Sequence, residues 1–350
     1  LRHFSGSILV AIICLPLATW WGFEHGGMTG ALTAFGVALI LSIMEVSLSF
    51  DNAVVNASVL KHWDEFWQRL FLTVGILIAV FGMRLIFPLV IVAQTADLGA
   101  AEVWNLALNN PHEFSRYLTE HHDEVAAFGG VFLLLVFLNF IFDEDKKQHW
   151  LGHFEAKLSS YGKIQAVPIF IALLAVLGSL TLVEESHHLA VLTAGVWGII
   201  VYVGVDVLSN MLEKEDNEGG DLAKAVKSGS IGGFLYLEIL DASFSFDGVI
   251  GAFAITNDVV IIMLGLAVGA MFVRSITVYL VKQGTLDEYV YLEHGAHYAI
   301  GILALIMFVS MKFHVPEIVT GLIGIAFIAA SVWSSLHYRK IHADDEKDND

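Results

Sequence analysis

The sequence predicts an all-α polytopic membrane protein of about ten transmembrane helices, arranged as two inverted five-helix repeats. Three observations carry this reading. Apolar runs of roughly seventeen or more residues, enough to cross a bilayer core as helix, recur along the chain. Lys and Arg fall almost entirely on one side of those runs. A motif containing two acids occurs twice, each time inside an apolar run.

Composition sets the class. Of 350 residues, 56% are hydrophobic and only 15% charged, and mean hydropathy is +0.70, values foreign to a soluble domain of this length. A net charge of −18 excludes a broad basic nucleic-acid surface and leaves cations as partners beside the lipid bilayer. The single cysteine, Cys14, cannot form an intrachain disulfide, so the fold does not need an oxidising compartment.

The spans are read near 7–23, 30–59, 71–93, 125–142, 164–183, 189–211, 231–256, 259–281, 297–313 and 317–336. The first, SILVAIICLPLATWWGF, lacks a small-residue cleavage site before EHGGM and is read as a span, not a leader. The second and seventh hold the acids and are long enough to contain a break. With alternating spans, one side of the membrane receives every Lys and Arg except Arg116 and Lys312, which face the other, and Arg84 and Arg274, which lie within spans. The positive-inside rule then puts both termini in the cytoplasm. Residues 1–188 form the first repeat, with a cytoplasmic loop at 143–163. Residues 189–336 form the second, and 337–350 an acidic cytoplasmic tail. The stretch 213–229 is read as a solvated connection, and 94–124 as a long extracytoplasmic loop.

The duplication rests on three matches in the same order. EVSLSFDN (Glu45 to Asn52) and DASFSFDG (Asp241 to Gly248) share the pattern acid-x-Ser-x-Ser-Phe-Asp. GILIAVFGMR and GLAVGAMFVR each place an arginine, Arg84 or Arg274, at the same distance after a glycine, Gly75 or Gly265. The fifth and tenth spans open with Val167-Pro168 and Val315-Pro316. Five spans per copy is an odd number, so the copies are inverted, an arrangement typical of transporters with a site near the midplane.

On a continuous helix Glu45, Ser49 and Asn52 share one face, while Ser47 and Asp51 share another. Either the two faces serve different purposes, or the helix unwinds around Ser47–Asp51 and turns both acids toward one cavity. Carboxylates, hydroxyls, an amide oxygen and freed carbonyls make up the ligand set of a hard divalent cation: Mn²⁺ first, with Ca²⁺ or Mg²⁺ as alternatives. The metal candidates are Glu45, Asp51, Asn52, Asp241 and Asp247, with Ser49, Ser245, Glu238, Arg84 and Arg274 in supporting or proton-coupling roles. The structural alternative is an ion-pair network between these acids and the two arginines, but five acids against two arginines leave a negative excess. The histidines of EHH (120–122), ESHH (185–188) and His25 fall on an acidic extracytoplasmic surface, and His294 and His297 at a cytoplasmic span entrance, without defining a site.

LSFDNA and FSFDG…FAITND resemble the paired signatures of the TerC family, bacterial membrane proteins named for tellurium resistance that include manganese exporters and belong to a LysE-like superfamily. The resemblance covers both acidic spans and the arginine-bearing spans after them. It implies metal-ligating roles for Glu45, Asp51, Asn52, Asp241 and Asp247 and a place in the bacterial inner membrane. Gly248 and Ile250 stand where that family has Ser and Pro, and Phe50 and Phe246 replace smaller residues, which marks a divergent branch. The expected function is a secondary transporter exporting a divalent cation by alternating access, with proton exchange on a carboxylate, and not an enzyme. No Walker motif is present to couple ATP. The alternatives are an intramembrane aspartyl hydrolase, disfavoured by the missing GxGD, and a non-transporting scaffold of a metal- or tellurite-resistance complex.

Overall fold

The computed structural model describes residues 2–75, 77–96, 98–144, 146, 148–160, 162, 166–212, 229–284, 288–313 and 315–347. Among them all regular structure is helical. Residues 213–228, most of the expected connection, lie outside this set.

The first helix, α1 (Ser5–Leu48), consists of two arms folded against each other. At Gly26 and Gly27 the backbone leaves helical angles, and Gly27 takes φ 58°, which favours glycine because it lacks a Cβ. Gly22 then lies flush against Gly30 and Ala34, where any side chain would collide with the Gly30 carbonyl. After one distorted residue, Ser49, α2 (Phe50–Leu60) continues the second arm. Hydrogen bonds Ser49 N to Glu45 O and Ala53 N to Ser49 O, both 3.0 Å, carry the helix across that point.

Helix α3 (Glu65–Leu70) runs into wider, π-type turns over Phe71–Gly75 and Ile78–Ile86, and then into α4 (Phe87–Thr95). The stretch read as a long loop contains two short helices, α5 (Ala100–Asn109) and α6 (Pro111–Glu120); Pro111 suits the first turn, where its missing N–H costs nothing. The chain continues through α7 (His122–Ile141), α8 (His153–Ser159), α9 (Ala166–Ser179), α10 (His188–Leu212) and α11 (Ile231–Ile255). It ends with α12 (Val259–Gln283), α13 (Leu292–Ser310) and α14 (Glu317–Lys347). Helix α13 opens earlier than the expected span at 297, so His294 and His297 lie inside it and are buried. Helix α14 runs on through much of the segment read as a tail, whose HYRKIHADDEK is rich in helix-tolerant residues.

Seven helices among the described residues are long and apolar enough to cross a membrane: Ser5–Leu48, Glu65–Ala93, His122–Ile141, Glu185–Val205, Val259–Gln283, Leu292–Ser310 and Val319–Lys340. The chain is an all-helical, polytopic membrane protein. Its interior is largely apolar, but large apolar side chains also cover the outside and several charged ones lie within. Leu9, Ile12, Met28, Leu32, Phe170 and Trp333 are exposed, whereas Glu45, Asp51, Asn52, Arg84 and Glu238 are buried. Apolar side chains on the outside suit lipid, and polar side chains inside are shielded from it.

Packing brings the two acidic segments to the centre. The second arm of α1 lies on α12, where Gly265 and Gly269 face Ala38, Leu41 and Glu45; a Cβ at Gly269 would overlap the Glu45 side chain. Small residues at four-residue spacing allow this close approach without a hydrophobic driving force. At one end, Phe114 and Leu118 of α6 pack with Leu41, Val249 and Phe253, covering that end of the acidic helices. At the other end, the segment from Asp143 to Ser160 straps α7 to α13. Its anchor is the fully buried Glu155, which meets Lys146 Nζ at 2.5 Å and His294 Nε2 at 3.4 Å.

Candidate functional site

The face of α1 and α2 that carries Glu45, Ser49 and Asn52 turns inward. Glu45 is 2% exposed, and its Oε1 accepts from Arg84 Nη2 and, at 3.0 Å, from Ser49 Oγ. Arg84 reaches this point from the π-type stretch and also donates from Nη1 to Ala79 O at 2.5 Å. A wider turn frees a carbonyl for such a bond. The other oxygen of Glu45 faces Gly248, where a Cβ would lie 3.3 Å away.

Asn52 makes the contact in the opposite sense. Its Nδ2 donates to Asp241 Oδ1 at 2.5 Å, joining the amide of one motif to the first acid of the other. Asp241 and Glu238 lie on α11 within electrostatic range of Arg274 on α12. Both oxygens of Glu238, which is 7% exposed, lack a hydrogen-bond partner, as does Asn56 Oδ1. These groups line a cavity of about 40 Å³ bounded by Ser49, Asn56, Gly75, Arg84, Glu238, Asp241, Arg274 and Thr277, among others.

Asp51 points elsewhere. It lines a separate cavity of about 20 Å³ with Leu48, Phe244, Gly248, Thr320 and Gly324, and its Oδ1 accepts the Asn52 backbone N–H at 2.9 Å. The two faces of the first motif therefore serve different cavities, and the expected unwinding shrinks to the single distorted residue Ser49. Helix α11 carries the second motif with no break at all. Ser243 needs none: its Oγ donates to Ile239 O at 2.9 Å, as Ser47 does to Ile43 O, so these hydroxyls are satisfied within the helix.

The structure thus brings Ser49, Arg84, Glu238, Asp241 and Arg274 to the lining of one cavity, with Glu45 and Asn52 bonded to Arg84 and Asp241 behind it, and places Asp51 at another. Ser245 is buried on α11. The Asp247 side chain lies outside what the structure describes. Among the described residues no three His, Cys, Asp or Glu side chains converge on one point. Four described carboxylates, Glu45, Asp51, Glu238 and Asp241, stand against the guanidiniums of Arg84 and Arg274, a buried excess of negative charge.

Sequence reasoning missed Asn56 and Thr277 in the larger cavity. Asn56 had a signal, because it continues the Glu45–Ser49–Asn52 face by one further turn. The Lys146–Glu155–His294 cluster was also missed, since its members are far apart in the chain.

The sequence model of the family described as protein of unknown function (DUF475) matches residues 50–342. No curated protein and no solved structure matches the chain.

Proposed function

We propose that this chain, which belongs to the DUF475 family, is a secondary transporter exporting a divalent metal cation, with Mn²⁺ the first candidate and Ca²⁺ or Mg²⁺ next. It would act by alternating access of two inverted five-helix halves, with proton exchange on a carboxylate. The observation that carries the reading is the excess of buried carboxylate over guanidinium at the centre of a membrane helix bundle. Burying net charge in a membrane is costly, and a bound cation offsets it. Oxygen donors from acids, an amide and serines suit a hard divalent ion.

Reciprocal contacts support the inverted halves. Asn52 follows Asp51 and touches Asp241; Gly248 follows Asp247 and faces Glu45. Ser42 Oγ donates to Gly265 O at 2.9 Å, and its motif counterpart Glu238 presses on Gly75, the counterpart of Gly265. Two patches that each meet the other's equivalent are the mark of a twofold axis. Ten spans are supported by counting the two arms of α1 separately and adding the shorter α9 and the acid-bearing α11 to the remaining long helices. The resemblance to the TerC family supports the same reading and a bacterial inner membrane, and the one-sided Lys and Arg distribution supports cytoplasmic termini.

In this reading Asp51 and Asp247 are the primary ligands. Glu45 and Asp241, held here by Arg84 and Asn52, exchange those partners for the ion as the halves rock. One observation favours the scaffold alternative: Glu45 and Arg84 already form a direct buried pair. Mn²⁺ flux by purified protein in liposomes separates the two readings, because a scaffold carries none.

A further inference from the structure

The two motifs differ at one position inside the membrane that the helical register makes equivalent, three residues before the first acid: Ser42 in one and Glu238 in the other. Ser42 is fully satisfied, donating to Ala38 O at 2.7 Å or Gly265 O at 2.9 Å. Glu238 stands in the corresponding place against Gly75, yet neither carboxylate oxygen has a hydrogen-bond partner. Gly75 is the residue that makes room, since a Cβ there would overlap Glu238 Oε1. The asymmetry thus places an unpartnered carboxylate at the 40 Å³ cavity, which has no described counterpart in the other half.

Asn56 also lines this cavity, is 5% exposed, and has an unpartnered Oδ1. These orphans are acceptors, so what they lack is a cation or a hydrogen-bond donor. The unpaired Arg84 Nε is a donor, which the oxygen of a water can satisfy. The charged groups facing the cavity or paired across its wall are Glu45 from α1, Arg84 from the π-type stretch, Glu238 and Asp241 from α11, and Arg274 from α12; α2 contributes only amides. Three carboxylates against two guanidiniums leave one negative charge. A divalent ion would overcompensate it and would also lack a third convergent carboxylate.

We infer that this cavity is a binding site for one hard monovalent cation of the Na⁺ class, held by Glu238 and the Asn56 carboxamide oxygen and completed by water. At about 10–15 Å³ per water-sized occupant, the cavity holds an ion with one or two waters. The inference rests on Glu238 and Asn56, which the divalent reading does not use as ligands, while Asp241, which lines this cavity, is shared between the two readings.

The test uses the full chain in detergent at fixed pH, with ²²Na⁺ equilibrium binding and thermal melts in NaCl against choline chloride at constant ionic strength. The expected result is saturable binding of one Na⁺ per chain and a melting temperature that rises with Na⁺ but not with choline. Glu238→Gln should weaken binding by about tenfold or more, since it removes the ligand charge. Asn56→Ala should weaken it less, and Asp51→Asn should leave it unchanged. Absence of Na⁺ binding to the wild type overturns the inference, including the case in which the melt responds to pH alone and Glu238 simply carries a proton. Unchanged affinity in Glu238→Gln overturns it too, and if that variant does not fold, unchanged affinity in Asn56→Ala does so. Loss of Na⁺ binding in Asp51→Asn would merge the two cavities and also overturn it. Failure to bind Mn²⁺ with Na⁺ binding intact would sink the divalent reading alone.

Discussion

Asn52 Nδ2 donates to Asp241 Oδ1 at 2.5 Å, and the residue in the matching place of the other motif, Gly248, faces Glu45 Oε2. One side of the pair is thus a charge-assisted hydrogen bond and the other a bare backbone contact. The first acids of both motifs sit where the two acidic segments meet, one held by an amide and the other by Arg84 and Ser49.

The seam can be tested by exchanging its two sides. Asn52→Gly removes the donor from Asp241 and should lower stability by roughly 1.5–3 kcal/mol, the range for hydrogen bonds to charged groups. Adding Gly248→Asn brings an amide to Glu45, where a Cβ fits at 3.3 Å with a small adjustment. The double variant should recover part of the loss in detergent melts. No recovery, or a further loss larger than that of Gly248→Asn alone, would argue against equivalent sides.

Much of this was legible in the sequence. The inward face Glu45–Ser49–Asn52 follows from helical periodicity, and the acid pattern and the glycine–arginine spacing identified the helices that meet. Two things were not legible. Hydropathy did separate the spans 7–23 and 30–59, between which the structure breaks at Gly26–Gly27, but it cannot show that α5 and α6 form within 94–124, because α6 has a polar face and buries only Phe114 and Leu118. Serines and a glycine gave a local reason to expect unwinding, but Ser47 and Ser243 found i−4 carbonyls, Ser49 found the Glu45 carboxylate, and the distortion stayed confined to Ser49. Partner choice was equally hidden: spacing brings Arg84 into the membrane, but only packing shows that it takes Glu45.

That pair makes the second prediction. Arg84 and Glu45 are both nearly inaccessible. Arg84→Met leaves Glu45, among the described residues, with Ser49 as its side-chain partner and should destabilise the fold by about 3–5 kcal/mol. Glu45→Gln alone should also destabilise, by stranding the guanidinium. In the double variant most of the loss should disappear, because an apolar and a neutral side chain replace two buried charges. Additive losses in the double-mutant cycle would show that the pair is not coupled.

The strap at the opposite end gives a pH prediction. Burial alone would push the Glu155 carboxyl up, but the close approach of His294 and Lys146, the Leu151 N–H donating at 3.0 Å and the Lys146 charge outweigh it and hold the group at about 2, below its ordinary 4.5. A folded-state value below the unfolded one contributes stability that is fully present above about pH 4.5 and is lost as pH falls toward 2. Wild-type protein should therefore lose stability on acidification through this window. Glu155→Gln should be less stable at pH 7 by about 3 kcal/mol, the lower end for breaking a buried pair, and should show a shallower acid slope. An identical slope in the variant would remove Glu155 as its source.

The last prediction concerns Asp51 and Asp247, because charge-neutral replacement separates transport from architecture. Asp51→Asn keeps the size and one oxygen of the side chain while removing the charge that compensates a divalent ion for lost water. Among the described residues Asp51 has no guanidinium partner, and its carboxylate lines a cavity bounded by Phe244, Thr320 and Gly324. Its neutralisation therefore strands no arginine, unlike that of Glu45. If Asp51 and Asp247 bind the transported ion, Asp51→Asn and Asp247→Asn should each abolish Mn²⁺ flux in liposomes while leaving the melting temperature unchanged or raised, since a buried unpaired charge has been removed. If the acids serve only the architecture, flux should be absent from the wild type as well. Normal flux in both variants would reject them as ligands. A fall in melting temperature with a proportionate fall in flux would move Asp51 from the ion to the framework of the bundle.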